Sequence, residues 1–142
     1  MYIPCYVTHA VQQLHCTNFD PSDPELHRLG FSEYARGMTR ACCMDPYWVL
    51  KFRHDGNVSK LRGEYDQILS IRRSKYRRNV PYTKMLGSVM VQQRVTVLSD
   101  NTYLRHASAI HRLSDKLNMC DIGPGNVGYH QGKFIFFDIE TT

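Results

Sequence analysis

The sequence predicts an α+β protein in which short strands and a few helices alternate along the chain. Two observations predict this class. Short runs of β-branched and aromatic residues are separated by Gly, Pro and Asp turns, and two longer segments place apolar residues at helical spacing. The chain has 142 residues, of which 42% are apolar and 22% charged, so it is long enough to bury a core. We therefore expect a single folded domain over residues 1–142.

The first part of the chain is predicted to form a short helix within residues 1–16, followed by a turn-rich connector and then two or three strands. Three turns are predicted to interrupt the strands: Gly30, Gly37 and the pair Asp45-Pro46. The segment YWVLKF has the β-branched and aromatic character of a strand and places Lys51 near its end. A lysine inside so apolar a run needs a partner.

A helix is predicted after this strand, with Asn57 or Ser59 as its N-cap. Its apolar residues recur at helical spacing on one face: Leu61, Tyr65, Ile68 and Leu69. Glu64 lies beside this face, one turn before Ile68. We therefore expect the Glu64 carboxylate to point toward the sheet that contains Lys51.

The second part of the chain predicts two strands joined near Gly87 and then an amphipathic helix over residues 102–117, capped by Ser99 or Asp100. The apolar positions of this helix are Leu104, Ala107, Ile110, Leu113 and Leu117. The helix leads into the turn CDIGPGNV, and a hairpin with its turn at residues 130–132 follows. This hairpin ends at Asp138.

The order of these motifs resembles that of protein kinases and their relatives. The strand VLK, a glutamate on the next helix, a helix leading into D-x-x-x-x-N and a hairpin closing on an aspartate follow one another over roughly residues 28–140. The loop DIGPGNV is most similar to that of the aminoglycoside and choline phosphotransferases, which commonly reads D-x-H-P-G-N. The resemblance implies a truncated protein-kinase-like fold. An antiparallel N-lobe sheet with one αC-like helix would occupy about 26–98, and a reduced C-lobe of one main helix, a catalytic-type loop and a β-hairpin would occupy about 99–142.

The resemblance also implies ATP and Mg²⁺ as cofactors. Lys51 would hold the α and β phosphates, and Glu64 would position the lysine. Asp121 would orient or deprotonate the acceptor hydroxyl, whereas Asn126 and Asp138 would hold the magnesium ion. Each residue has a structural alternative: the lysine can reach solvent from a strand end, the glutamate can lie on an exposed helix face, and the Asx residues can tighten turns.

The chain departs from the family beside the predicted catalytic aspartate. Met119 and Cys120 stand where protein kinases have His and Arg, and Gly123 replaces the usual His or Lys. The segment GFSEYARG lacks the glycine pattern of a phosphate-covering loop, and Ile139 and Glu140 follow Asp138 in place of Phe and Gly. These differences bear on activity more than on fold.

Two functions therefore stay open. One is a minimal Mg-ATP-dependent phosphotransferase, and the other is a pseudokinase-like binding or inhibitor protein that acts on a partner protein without catalysis. The sequence reaches residue 142 without a full helical lobe, so we expect a partner protein or a second copy of the chain to cover the exposed apolar surface. Compact chains of this kind resemble small kinase-like proteins encoded by bacteriophages.

Charge and cysteine usage add weaker expectations. The net charge is +5, and residues 72–78, RRSKYRR, contain five of the eighteen Lys and Arg residues. We expect this segment to be a solvated helix end and nucleic acid to be an unlikely partner, because Tyr76 is its only aromatic residue. The five cysteines are expected to be free thiols. Neither a signal peptide nor a membrane-spanning run is predicted, which favours a cytoplasmic protein, in the host cytoplasm if it is phage-encoded.

Overall fold

The computed structural model describes residues 2–120 and 122–137, and residues 1, 121 and 138–142 lie outside the described part. The protein is α+β, with a five-stranded antiparallel sheet and a separate two-stranded hairpin. The chain divides into two compact units. The first unit comprises Met1–Tyr65 and Tyr82–Arg94, and the second comprises Asp66–Pro81 and Val95–Thr142. The α+β class is confirmed, whereas one kinase-like domain with lobes at about 26–98 and 99–142 stays a prediction.

The helices and strands follow the predicted order, with one added helix before the sheet, two added 3₁₀ turns, and two helices in place of one before the hairpin. The first unit contains α1 (Cys5–Cys16), α2 (Pro24–Arg28), β1 (Glu33–Arg36), β2 (Arg40–Met44), β3 (Trp48–Arg53), β4 (Thr83–Leu86) and β5 (Val89–Gln93). Helix α3 (Val58–Arg72) begins in the first unit and ends in the second. The second unit contains a 3₁₀ turn (Arg77–Asn79), α4 (Asp100–Arg105), α5 (Ala107–Lys116), a 3₁₀ turn (Pro124–Asn126), β6 (Val127–His130) and β7 (Lys133–Phe136). None of the described helices is both long and apolar enough to cross a membrane.

The register of the sheet assigns its side chains to two faces. The strand order is β1-β2-β3-β5-β4, and each neighbouring pair is antiparallel. Lys51 of β3 lies opposite Cys42 of β2 and Met90 of β5. Residues directly opposite in such a pair share a face, and successive residues alternate. Lys51 therefore lies on one face, and its neighbours Leu50 and Phe52 lie on the other.

The face with Leu50 and Phe52 packs into the main hydrophobic core. Helix α1 covers it with residues at positions i, i+3, i+4 and i+7: Val7, Ala10, Val11 and Leu14. This spacing places all four on one side of the helix, so the helix predicted in residues 1–16 is confirmed. Leu26 of α2 and Phe31 are also fully buried in this core.

Helix α2 was not predicted, because its first two residues were interpreted as part of a connector and the chain from Leu26 as strand-like. Its N-cap is Asp23, whose side chain accepts hydrogen bonds from the backbone N–H groups of Glu25 and Leu26. Pro24 occupies the first helical position, where its missing N–H is not needed. The dipeptide Asp-Pro was therefore a helix-start signal as well as a turn signal.

The turn between β2 and β3 is tied to α1 through Asp45. Its Oδ1 accepts hydrogen bonds from the backbone N–H groups of Tyr47 at 2.8 Å and Trp48 at 2.6 Å. Its Oδ2 accepts a hydrogen bond from the Tyr6 hydroxyl of α1 at 2.5 Å. Burial, and then the hydrogen bond to Asp45, raise the pKa of Tyr6 above its ordinary value. The turn thus fixes both the β2–β3 register and the position of α1.

The caps of two helices are now assigned. Asn57 accepts a hydrogen bond from the backbone N–H of Lys60, so it caps α3 and the alternative, Ser59, is wrong. Ser99 caps α4 through the backbone N–H of Thr102. Both are short polar side chains placed immediately before the first helical residue.

The single helix predicted over residues 102–117 is wrong in one respect. The chain leaves helical geometry at His106, where φ is −112° and ψ is 12°, so two helices form. This break changes the phase of the helical pattern. Leu104 is consequently 69% exposed, and Tyr103 is buried in its place. Ile110 and Leu117 are buried as predicted.

The β6–β7 hairpin is confirmed. Its turn residues, Gln131 and Gly132, have φ values of +49° and +81°, as a two-residue type I′ turn requires. Gly128 of β6 pairs with Val97, and a Cβ at Gly128 would lie 2.6 Å from the backbone oxygen of Thr96. Only glycine fits at this close approach.

Candidate functional site

The first candidate site is a buried ion pair between β3 and α3. Lys51 and Glu64 are only 6% and 3% exposed. The Lys51 Nζ lies 3.7 Å from the Glu64 Oε1. The structure thus brings Lys51 and Glu64 together, as the order of motifs in the sequence predicted. Their role in phosphate binding stays a prediction.

A third residue, Arg40 of β2, also belongs to this cluster. One of its guanidinium nitrogens lies 2.5 Å from the Glu64 Oε2. In the β2–β3 register, Arg40 lies opposite Arg53 and Cys42 lies opposite Lys51, so Arg40 and Lys51 share a face. The Glu64 carboxylate therefore has one cation at each of its two oxygens. We refer to Arg40, Lys51 and Glu64 as the buried charge cluster.

Sequence analysis did not identify Arg40 as a site residue. It begins a strand whose alternate residues are half-buried and buried, and the available signal was this alternation, RACCM. The signal was too weak because the partner of Arg40 depends on strand register and on a helix 24 residues later. An inward-facing arginine in a strand is, however, rarely placed without an anionic partner.

The remainder of this sheet face is unusually polar for its burial. Gln92 is 1% exposed, and its amide donates a hydrogen bond to the Thr83 hydroxyl at 3.2 Å. Met90, opposite Lys51, is fully buried. Buried polar groups of this kind lower the stability of a fold unless they are hydrogen-bonded. This face therefore depends on specific hydrogen bonds and ion pairs, in contrast to the apolar face beneath α1.

The segment GFSEYARG, which lacks the glycine pattern of a phosphate-covering loop, occupies residues 30–37, which contain β1 and lead into the β1–β2 hairpin loop. All four residues of β1 are exposed, whereas Phe31, which precedes them, belongs to the core. The hairpin loop is held to the end of β3 by His54, whose Nε2 lies 2.9 Å from the Gly37 carbonyl oxygen. Met38 at the tip of the loop is 96% exposed. The loop itself is thus open to solvent.

An ion pair joins the last residue of β3, Arg53, to Asp55 in the turn that follows. Two guanidinium nitrogens of Arg53 contact the two carboxylate oxygens of Asp55 at 2.9 Å and 2.5 Å. This contact, together with a hydrogen bond from the backbone N–H of Asn57, lowers the pKa of Asp55 to about 2. The bidentate pair fixes the turn that leads into α3.

Asn126 lies in the 3₁₀ turn of the second unit. Its side-chain oxygen accepts a hydrogen bond from the backbone N–H of Gly123 at 2.8 Å, and its carbonyl oxygen accepts one from Phe137. The structure thus shows the turn-tightening role that was an alternative for Asn126. Its role as a magnesium ligand stays a prediction. The two predicted aspartates, Asp121 and Asp138, lie outside the described residues.

The cysteines and the metal-binding side chains do not provide another site within the described residues. None of the five cysteines forms a disulfide, and Cys5 and Cys16 of α1 are exposed. Burial raises the pKa of the Cys43 thiol to about 12, which makes it a poor nucleophile. No group of three or more His, Cys, Asp or Glu side chains suitable for a metal ion occurs in residues 2–120 and 122–137.

Comparisons with known proteins identify no relative: no family model, curated protein or solved structure matches the chain. The buried charge cluster and the sheet that holds it are therefore the strongest basis for a functional proposal.

Proposed function

We propose that the protein is a kinase-like nucleotide-binding protein in which Lys51 binds the phosphates of ATP and Glu64 holds the lysine in place. The observation that supports this proposal is the 3.7 Å ion pair between these residues. In protein kinases, a lysine of the third strand pairs with a glutamate of the helix that follows, and the pair must form for activity. Here Lys51 lies in β3 and Glu64 in α3. A truncated kinase-like fold is part of the same proposal.

The energetics of the pair favour a binding role over a purely structural one. Removing two charges from water costs several kcal/mol per ion in real proteins, about as much as their attraction returns. An apolar pair of similar volume at positions 51 and 64 would serve the fold at least as well. The Lys51 ammonium has three N–H donors, so it can contact Glu64 and phosphate oxygens together. Arg40 fixes the other oxygen of the carboxylate, which restricts the position of the ammonium group.

The proposal assigns Mg²⁺ to Asn126 and Asp138, and the acceptor hydroxyl to Asp121. When bound, the ion would neutralise charge on the phosphates. A cytoplasmic location, where ATP is available, belongs to the same proposal.

The decisive experiment is a calorimetric titration with a non-hydrolysable ATP analogue and Mg²⁺. Lys51→Met should weaken binding by about tenfold or more, because a charge-assisted hydrogen bond contributes about 1.5–3 kcal/mol. The control is Lys84→Met, since Lys84 is an exposed lysine of the same sheet. Circular dichroism should show that both variants are folded. Equal affinity of both variants, or no binding of the wild-type protein at millimolar nucleotide, would refute the proposal.

A substitution at Gly123 can distinguish a phosphotransferase from a protein that only binds nucleotide. Its backbone is extended, with φ −141° and ψ −178°, and no described atom lies within 4 Å of the position of an added Cβ. Gly123→Lys can therefore restore the cation that the resembling families have at this place. If the protein is a phosphotransferase, this variant should transfer phosphate faster, and Asp121→Ala should abolish transfer. Nucleotide binding without transfer in either background would instead favour the pseudokinase-like alternative, a binding or inhibitor protein acting on a partner protein.

A further inference from the structure

The second unit presents a cluster of exposed cations with no acidic residue in the segments that form it. Residues 67–81 and 122–137 contain no Asp or Glu. Within the first of these segments, Arg73, Lys75, Arg77 and Arg78 are exposed. None of the four forms a salt bridge with a described residue. No described carboxylate therefore neutralises their charges.

The β6–β7 hairpin lies against this segment and adds to its charge. The Arg78 guanidinium donates to the backbone and side-chain oxygens of Gln131 at 3.4 Å and 3.3 Å. The Asn79 amide donates to the Phe134 carbonyl oxygen at 2.8 Å. These contacts place the hairpin turn, with the exposed Lys133, next to the cations of the first segment. We call Arg73, Lys75, Arg77, Arg78 and Lys133 the basic surface.

Aromatic side chains occur in both segments that form the basic surface. The Lys75 Nζ lies 5.3 Å from the centre of the partly exposed Tyr76 ring. Tyr129 of the hairpin is 50% exposed and packs edge-to-face on Phe134. The adjoining hairpin adds a second exposed tyrosine, Tyr129, which pairs with Phe134 and so lies on the opposite face of the hairpin from Lys133, which pairs with His130. The expectation that nucleic acid is an unlikely partner stays a prediction, and a nucleic-acid strand that follows the edge of the hairpin could reach both faces.

We propose that the basic surface binds single-stranded nucleic acid. Exposed Lys and Arg side chains contact backbone phosphates without sequence preference, and exposed aromatic rings stack on unpaired bases. A single strand offers both groups, whereas the bases of a duplex are stacked on one another. An acidic protein would satisfy the cations but would leave the tyrosines without a planar partner. Single-stranded DNA or RNA therefore fits this surface best.

The test is fluorescence anisotropy of a labelled oligothymidylate of about 20 nucleotides, in buffer without ATP, over a range of salt concentrations. If all five cations contact phosphates, the logarithm of the binding constant should fall with the logarithm of salt with a slope of about −3.5. The double variant Arg77→Ala/Lys133→Ala should reduce that slope by about 1.4. The matched control is Lys60→Ala/Arg62→Ala, which removes two exposed cations from α3 and should leave the slope unchanged.

The contribution of base stacking on the tyrosines is tested separately. Tyr129→Leu should weaken binding about fivefold or more, because base stacking on an aromatic ring is lost. Tyr34→Leu in β1 is the control, since Tyr34 is also an exposed strand tyrosine. Equal effects of the test and control variants would overturn the proposal. So would competition by poly-glutamate as strong as that by unlabelled oligothymidylate, or tighter binding of a duplex of the same length.

Discussion

The five-stranded sheet has two faces built from alternate residues of the same strands, yet their chemistry differs. Leu50 and Phe52 point into the apolar core beneath α1. Lys51, between them in sequence, lies on the opposite face with Arg40 and Glu64. The apolar face obtains its stability from burial, which needs no specific partner. The charges on the other face are tolerated only because Arg40 and Lys51 form ion pairs with Glu64.

This difference separates the residues that the fold requires for its stability from those that it retains for function. A sheet that packs on both sides is normally apolar on both faces, because buried charges add little or nothing to stability. Natural proteins retain destabilising groups mainly where function needs them. The comparison therefore predicts that changes to one face alter mainly folding, whereas suitable changes to the other alter mainly binding.

The largest loss of stability should follow Phe52→Ala on the apolar face. Phe52 is 1% exposed, and its ring stacks on Phe19 with centroids 5.6 Å apart. Truncating a buried phenylalanine leaves a cavity and lowers the free energy of unfolding by about 3–5 kcal/mol. Urea denaturation measures this change, with Tyr34→Ala as an exposed control. A loss for Phe52→Ala no larger than that for the control would show that this face does not dominate folding.

A smaller loss should follow Glu64→Gln on the charged face. The change keeps the shape of the side chain but removes the carboxylate that both Arg40 and Lys51 contact. We expect the free energy of unfolding to fall by about 1.5–3 kcal/mol, the contribution of a hydrogen bond to a charged group. The same denaturation series checks this. An unchanged midpoint would mean that the buried charge cluster is not coupled to folding.

Replacing the whole buried charge cluster should sharpen the comparison further. In the triple variant Arg40→Met/Lys51→Met/Glu64→Leu, apolar contacts replace the ions at similar volume. We expect its free energy of unfolding to return to within about 1 kcal/mol of the wild-type value, or to exceed it. Nucleotide binding, measured by calorimetry, should nevertheless be lost. A triple variant less stable than Glu64→Gln would contradict the view that the fold does not need these charges.

The smallest effect depends on pH and concerns the attachment of α1 to the sheet. The raised pKa of Tyr6 means that the unfolded chain loses this proton more readily than the folded protein. The stability from Tyr6 is therefore fully present below about pH 10, the ordinary tyrosine value, and decreases as the pH rises above it. Denaturation at pH 7–11 should show a steeper decline for the wild-type protein than for Tyr6→Phe. Parallel profiles would argue against the hydrogen bond to Asp45.

Local sequence patterns could predict much of the fold because they depend on nearby residues. The spacing of Leu61 and Ile68 indicated α3, and the position of Glu64 beside them indicated that it would face the sheet. The turn at Gln131 and Gly132 was predicted for the same reason, since its hairpin is local. In these segments, propensity and burial agree.

The remaining features depend on contacts between distant parts of the chain. The partner of Arg40 follows from strand register, and the contact of Arg78 with Gln131 spans 53 residues. The exposure of Leu104 follows from a change of helical phase at His106, which no apolar pattern signals in advance. Such features require tertiary packing to be known, because local propensity does not determine them.

The exposed thiols of α1 make this helix convenient to observe. Cys5 and Cys16 lie at its two ends, about 16 Å apart at the rise of an α-helix. Reagents that modify accessible thiolates should react with them well before the buried Cys43. Once the half-buried Cys42 and Cys120 have been replaced, a pair of spin labels would sit only on the helix that covers the apolar face. Its melting could then be followed separately from that of the sheet.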